Sequence, residues 1–383
     1  MSALTGSTLC AAFTALLDPR SGPALRHRLL DIVTIAVLAV LCGADSWVDV
    51  ALFGRSKEAW LRTFLDLPHG IPSHDTFGRV FAALDPAAFE ACFVTWVRAA
   101  VAEAETDPDA DAGLALDGKT LRRSHDRTRG RGPLHLVSAW ATDHGLVLGQ
   151  VAVADHANEL EALPVVLDAV DLVGAVVTID AIGCQRDVAD QIIARGGDYV
   201  LALKDNQPTL RELVADHFAL VATGGPDGLA HDIQTTRDKN HGRHEQRRCC
   251  VTDDPAVLAW LDPEQAWPGL RSVAAVTGDR RVGATTTTET RFYLSSLPAD
   301  ARRIATAVRR HWRIENQLHW TLDVAFREDE CRIRMGHAAE NFAVLRRIAL
   351  NLLRQDQTVK AGLKAKRLTA GWDEAYLRHL LVG

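Results

Sequence analysis

The chain has 383 residues with 47% hydrophobic and 24% charged side chains, enough for a sizeable core spread over two or three domains. A formal net charge of -6 excludes a bulk polycation, so any contact with nucleic acid must come from local basic patches. The 7 cysteines include no CxxC pair, which argues against a disulfide framework or structural zinc and fits a reducing cytoplasm.

Met1 to Thr14 has no basic segment before its apolar part, so no signal peptide is expected. Leu25 to Cys42 is apolar and reads as a helix. Its stretch from Ile32 to Gly43 falls short of the roughly 20 residues a bilayer requires. Val48 to Phe64 keeps helical spacing, Ser73 is a plausible N-cap for a helix opening near Pro72 to Thr76, and Pro86 to Glu103 forms another helix. Residues 1–104 are therefore expected to be an all-helical N-terminal domain, followed by an acidic linker from Glu105 to Ala112.

The pattern then changes. Leu114–Leu116, Leu134–Ala141 and Leu146–Ala154 read as strands, the last two joined by the turn Asp143-His144-Gly145. Helix Glu159–Leu172, strand Ala175–Ile179, helix Asp187–Ala194, strand Tyr199–Leu203 and helix Leu210–Leu220 follow. This order predicts an α/β core with a mixed sheet in a ribonuclease-H-like layout, its first part at 105–222. Residues 223–297 read as a β-rich insertion with strands at Ser272–Thr277 and Arg291–Ser295; adjacent Cys249 and Cys250 are expected on opposite faces of a strand. Core helices resume over 298–383, Ala338–Arg354 being the clearest.

Two acids stand at the ends of apolar strands. Asp117 follows Leu114-Ala115-Leu116 and precedes Gly118-Lys119-Thr120; Asp180 follows Ala175 to Ile179. Two bare carboxylates about 4 Å apart repel by roughly 4 kcal/mol at an effective dielectric of about 20, and divalent cations reverse that sign. Glu315 is the candidate third acid. At about 100° per residue it falls on the stripe of Ile304, Val308, Trp312, His319, Leu322 and Phe326, where an inward carboxylate needs a charge or metal. A shorter or rotated helix would leave Glu315 at its edge in a salt bridge, and Asp323 and Glu328 are weaker alternatives. Basic clusters lie at Lys119–Arg131, Arg237–Arg248, Arg302–Arg313 and Lys360–Arg367.

The ordered motifs Gly70-Ile71-Pro72-Ser73-His74-Asp75-Thr76, Leu116-Asp117-Gly118-Lys119, Thr178-Ile179-Asp180-Ala181, Leu203-Lys204-Asp205-Asn206-Gln207, His241-Gly242-Arg243-His244-Glu245, Tyr293-Leu294-Ser295-Ser296-Leu297 and His311-Trp312-Arg313-Ile314-Glu315-Asn316 carry a resemblance over nearly the whole chain. It resembles insertion-sequence transposases of the DDE class, and most closely the H-repeat-associated subgroup. The resemblance implies Asp117, Asp180 and Glu315 as catalytic, metal-binding residues on a ribonuclease-H-like core, with two Mg²⁺ ions (Mn²⁺ as substitute). It further implies double-stranded DNA as partner, end cleavage and strand transfer, and a homodimer on DNA. Lys119, Arg122 and Arg123 are expected to bind flanking phosphates. Lys204, Asn206 and Gln207 are expected either to contact DNA near Asp180 or to form a strand-end hydrogen-bond network. Arg243 with His241 either contacts DNA or braces a turn.

The sequence departs from the broader family. Val308, His311 and Leu322 stand where a tyrosine, an arginine and a lysine grip DNA, so His311, Arg313 or His319 are expected to supply those grips. His156-Ala157-Asn158-Glu159 begins with histidine where relatives usually have lysine. The rival readings are a hydrolytic nuclease of the same fold and a catalytically silent DNA-binding remnant.

Overall fold

The computed structural model describes residues 6–22, 25–102, 111–125, 130–153, 159–224, 231–240 and 243–382. Six helices come first: α1 (Gly6–Phe13), α2 (Leu29–Leu41), α3 (Trp47–Ser56), α4 (Glu58–Leu61), α5 (His74–Ala83) and α6 (Pro86–Ala102). Helix α2 is buried from Asp31 to Leu41, as expected for a helix apolar all round. The segment expected to be helical over Val48–Phe64 is broken between α3 and α4. Ser73 does cap α5, its hydroxyl accepting the Thr76 N–H at 3.3 Å.

Next come β1 (Ala112–Thr120), β2 (His135–Ala141), β3 (Leu146–Val153), α7 (Glu159–Ala169), β4 (Ala175–Ile179), α8 (Arg186–Ala194), β5 (Asp198–Leu203) and α9 (Pro208–Ala222). Gly145, at φ 66, turns β2 into β3 in a backbone conformation few other residues adopt. The β-rich region adds β6 (Asp232–Asn240), β7 (Arg243–Thr252), α10 (Pro255–Leu261), β8 (Ser272–Val282) and β9 (Thr285–Ser295). Its strands at Ser272 and Arg291 run farther than expected, into one long hairpin. Of the expected linker, only Asp111 and Ala112 lie among the described residues.

The nine strands of the described residues form one mixed, mainly antiparallel sheet in the order β3-β2-β1-β4-β5-β9-β8-β7-β6. Strands β1, β4 and β5 are parallel, and β9 joins β5 antiparallel, so the insertion extends the core sheet. Side chains alternate between two faces. One face, with Leu116, Ile179 and Leu201, packs on α7 to α10; the other, with Val176, Val200 and Tyr293, packs on α11 (Ala301–His311). Cys249 and Cys250 fall into these two separate cores, and all seven cysteines are free thiols.

After α11 the chain makes a π-helical turn (Ile314–His319), then α12 (Trp320–Phe326), α13 (Ala338–Gln355), α14 (Leu363–Trp372) and α15 (Glu374–Val382). Residues of α1, α2, α5 and α6 share one core with α12, α13 and α15. Helix α13 joins the halves with two buried amides. Asn341 donates to the carbonyls of Phe81 and Leu84 at the end of α5, and Asn351 pairs with both the N–H and the carbonyl of Val147 on β3. Among the described residues no single helix is long and apolar enough to cross a membrane.

Candidate active site

The sheet register assembles the first two acids. Leu116 of β1 pairs with Ile179 of β4, so one residue farther along Asp117 comes abreast of Asp180. Asp117 does not end its strand, as the sequence led us to expect. Strand β1 continues to Thr120 along β2, and it is the partner β4 that stops beside Asp117. By alternation both acids lie on the face covered by α11.

The third acid arrives by a different geometry from the expected stripe. A continuous α-helix would bury Glu315 with Trp312 on an apolar seam. The π-helical turn shifts the phase, so Ile314 and Leu318 are buried while Trp312 and Glu315 are exposed. Glu315 nevertheless lies close enough to Asp117 for that carboxylate to act on its own carboxyl. Asp117, Asp180 and Glu315 line one cavity of about 300 Å³, together with Thr178, Lys204, Asp205, Arg211, Arg291 and His311. Among the described residues no three His, Cys, Asp or Glu side chains are gathered tightly enough to hold an ion outright, so the acids converge without forming a closed chelate.

Electrostatics separate the three. Burial pushes the Asp117 carboxyl up, but the hydrogen bond from His319 and the nearby His319 and His311 outweigh it and hold the group below its ordinary value. Nε2 of His319 donates to Oδ2 of Asp117 at 3.1 Å. Asp180 is pushed up by burial and by the charges of Asp117 and Glu159, against the Ile182 N–H and Lys204. Glu315 is pushed up by desolvation and by Asp117. Burial lowers His311, whose Nδ1 lies 3.1 Å from the Thr178 hydroxyl.

Several expected DNA contacts are placed otherwise. Lys119 is buried, and its ammonium meets Asp323, the His319 carbonyl at 3.3 Å and Glu328 at 3.6 Å; it ties the π-helical turn to β1 and does not reach outward to a phosphate. Asn206 donates to the carbonyls of Ala181 and Cys184, and Gln207 to Cys184, so both brace the loop after Asp180 as a strand-end network. Arg122 is exposed beside Asp329 at 3.3 Å, and Arg123 is exposed. Arg313 is exposed on a neighbouring trough. His241 lies outside the described residues, and of Arg243 only the strand pairing with Asn240 and Val282 is described. The stretch 156–158 is likewise outside them.

Sequence reasoning missed Glu159 and His135, which pair at 2.6 Å against Gly118. A Cβ on Gly118 would meet Glu159 Oε1 at 2.4 Å and His135 Nε2 at 2.7 Å, so the glycine lets this pair pack beside Asp117. The signal was present in the motif ending at Glu159.

The chain belongs to the DDE transposase family. The family model described as "Transposase DDE domain" matches residues 108–352, and the one described as "DDE_Tnp_1-associated" matches 10–97. The H repeat-associated putative transposase YhhI of Escherichia coli (strain K12) is 40% identical over 96% of this chain and 95% of its own length. The putative transposase YncI of Escherichia coli O157:H7 is 37% identical over 95% of this chain and 92% of its own. Its membership supports a transposase role and implies DNA binding, and domains of this family generally use divalent metal ions.

Proposed function

We propose that this transposase cleaves the ends of its element and joins the freed 3′-OH strands to target DNA, using Asp117, Asp180 and Glu315 on a ribonuclease-H-like core. The observation that carries this reading is the convergence of acids from β1, the end of β4 and the π-helical turn on one cavity. The strand order 3-2-1-4-5, with the first three strands antiparallel and β1, β4 and β5 parallel, supports the fold assignment. We place its segments at 1–104, 105–222, 223–297 and 298–383.

The donor set fits hard divalent cations: three carboxylates repel one another across the cavity, Asp117 raising both Asp180 and Glu315. Asp117, Asp180 and Glu315 would hold two Mg²⁺ ions, or Mn²⁺ in their place, which supply Lewis-acid chemistry at the attacking and leaving oxygens of phosphoryl transfer. His319 fixes the orientation of the Asp117 carboxylate. Lys119 anchors the turn that bears Glu315. Lys204, on the cavity wall, offers a cation to a phosphate oxygen, and neutral His311 offers an imidazole edge.

The test is cleavage of a supercoiled plasmid carrying the element ends, with Mg²⁺. Asp117→Asn is expected to abolish cutting, a loss of at least about a hundredfold, while end binding persists. Retained cutting by the variant removes Asp117 from the mechanism. Cutting without joining by the wild type identifies a nuclease, and binding without cutting a silent remnant. A pair of such proteins on paired DNA ends is the expected assembly, in the bacterial cytoplasm at the nucleoid.

A further inference from the structure

Beside the acid cavity lies a larger trough of about 790 Å³ that the mechanism above does not use. One wall is the face of β6 to β9 carrying Arg247, Arg280 and Arg291; the other is α11 and the start of the π-helical turn, carrying Arg302 and Arg313. The pairings Glu245 with Arg280 and Arg247 with Gly278 put the strand residues of this wall on one sheet face. Among the described residues, seven arginines line the trough against two glutamates, Glu245 and Glu289, in a chain whose formal net charge is -6. This concentration of one sign in a concave surface focuses positive potential.

Local pairing explains part of it. Arg247 meets Asp238 at 2.9 Å, Arg291 meets Glu289 at 2.8 Å and Arg309 meets Asp238 at 2.7 Å. Arg280, Arg302 and Arg313 are exposed, and among the described residues none has a carboxylate within salt-bridge distance. The trough adjoins the acid cavity: Glu289, Arg291, Tyr293, Val308 and Trp312 line both, and the Arg291 guanidinium lies over the Trp312 ring at 4.3 Å where they meet.

We infer that this trough carries the sugar–phosphate backbone of a DNA strand running from the acid cavity across the β-rich insertion, with Arg280, Arg302 and Arg313 as phosphate contacts. The inference rests on the proposed transposase reading, and it gives the insertion a role as the wall that turns a local acid site into an extended polyanion track. Guanidinium forks suit phosphate oxygens, and such contacts set affinity and position without reading sequence.

The experiment measures binding of a generic 30-base-pair duplex and of a 30-nucleotide single strand as a function of salt, on the full chain without added metal. The variant is Arg280→Glu with Arg302→Glu. The control, Arg26→Glu with Arg55→Glu, makes the same charge change on exposed residues of the helical N-terminal segment, outside the basic clusters. The log–log salt slope falls by about 0.9 for each duplex phosphate that the protein no longer neutralises. The trough variant should therefore show a slope shallower by about two and an affinity at least tenfold weaker at low salt, with thermal unfolding unchanged and the control like wild type. Equal slopes and affinities for wild type and trough variant, with wild type binding DNA, overturn the trough alone. Equal weakening in the control also overturns it, since any charge reversal would then do the same. A wild type that binds neither DNA overturns both the trough and the transposase reading.

Discussion

Lys119 shows what a single side chain does once its partners are known. It sits two residues after Asp117 on β1, buried between Asp323 and Glu328, while Glu328 is also gripped by Arg347. Burial alone would raise the Glu328 carboxyl, but Arg347, Lys119 and Arg346 pull it down to about 2. Removing one partner from a buried charge cluster costs about 3–5 kcal/mol, because the remaining charge loses its compensation. Lys119→Met should thus unfold at markedly lower urea, with generic DNA binding weakened only as far as the fold is. Unchanged stability with weaker DNA binding would return Lys119 to the DNA-facing residues. Nothing in the local sequence reveals this role, since Asp323 lies 204 residues away. Asp117 and Asp180 were legible because acids punctuate otherwise apolar strands. Asn206 and Gln207 were legible only as alternatives, since an amide serves a phosphate or a carbonyl equally well.

Elements show where periodicity suffices and where it fails. Strand alternation put Cys249 and Cys250 in different cores, an unbroken apolar run marked α2, the Ser73 cap marked α5, and the 3.6-residue period was applied to the helix through Glu315. The same period misplaced the stripe through Glu315, because residues Ile314–His319 wind with a wider repeat that hydrophobicity does not encode. The contact between α6 and β3 carries a pH-dependent stability. Glu90 accepts the Gln150 N–H at 2.8 Å, its other oxygen has no partner among the described residues, and burial pushes its carboxyl from 4.5 up to about 8. The folded chain therefore keeps a proton that the unfolded chain has released. Stability should fall as pH rises from 4.5 toward about 8 and then level off. Urea unfolding of wild type and Glu90→Gln at pH 5 and pH 8 checks the sign: the neutral amide should flatten the decline, by an amount on the order of a few kcal/mol. A steeper decline in the variant would contradict the buried, protonated carboxyl.

At the scale of the whole molecule, the sequence showed helices, then a mixed sheet, then a β-rich stretch, then helices. It did not show that the β-rich stretch extends the same sheet, since strand order between distant segments is a long-range fact. Nor did it show that the opening helices share their core with α12, α13 and α15. Hence the segment 1–104 expressed alone should lack cooperative thermal unfolding and dispersed amide resonances, and adding the C-terminal helices in trans should restore some order. A sharp, cooperative melt of the isolated segment would show that its own helices suffice.

The pairing of Asn351 with Val147 has a consequence in time as well as space. The outer backbone of β3 is met at Gln150 by Glu90, which precedes it, but at Val147 it is made safe by a residue 204 positions later in the chain. At about 5–20 residues per second, translation leaves that strand without its cover for roughly 10–40 seconds. During that interval the nascent sheet presents an open flank at Val147, and this site's vulnerability to sticking to neighbouring chains on the polysome ends when the amide of α13 emerges and docks.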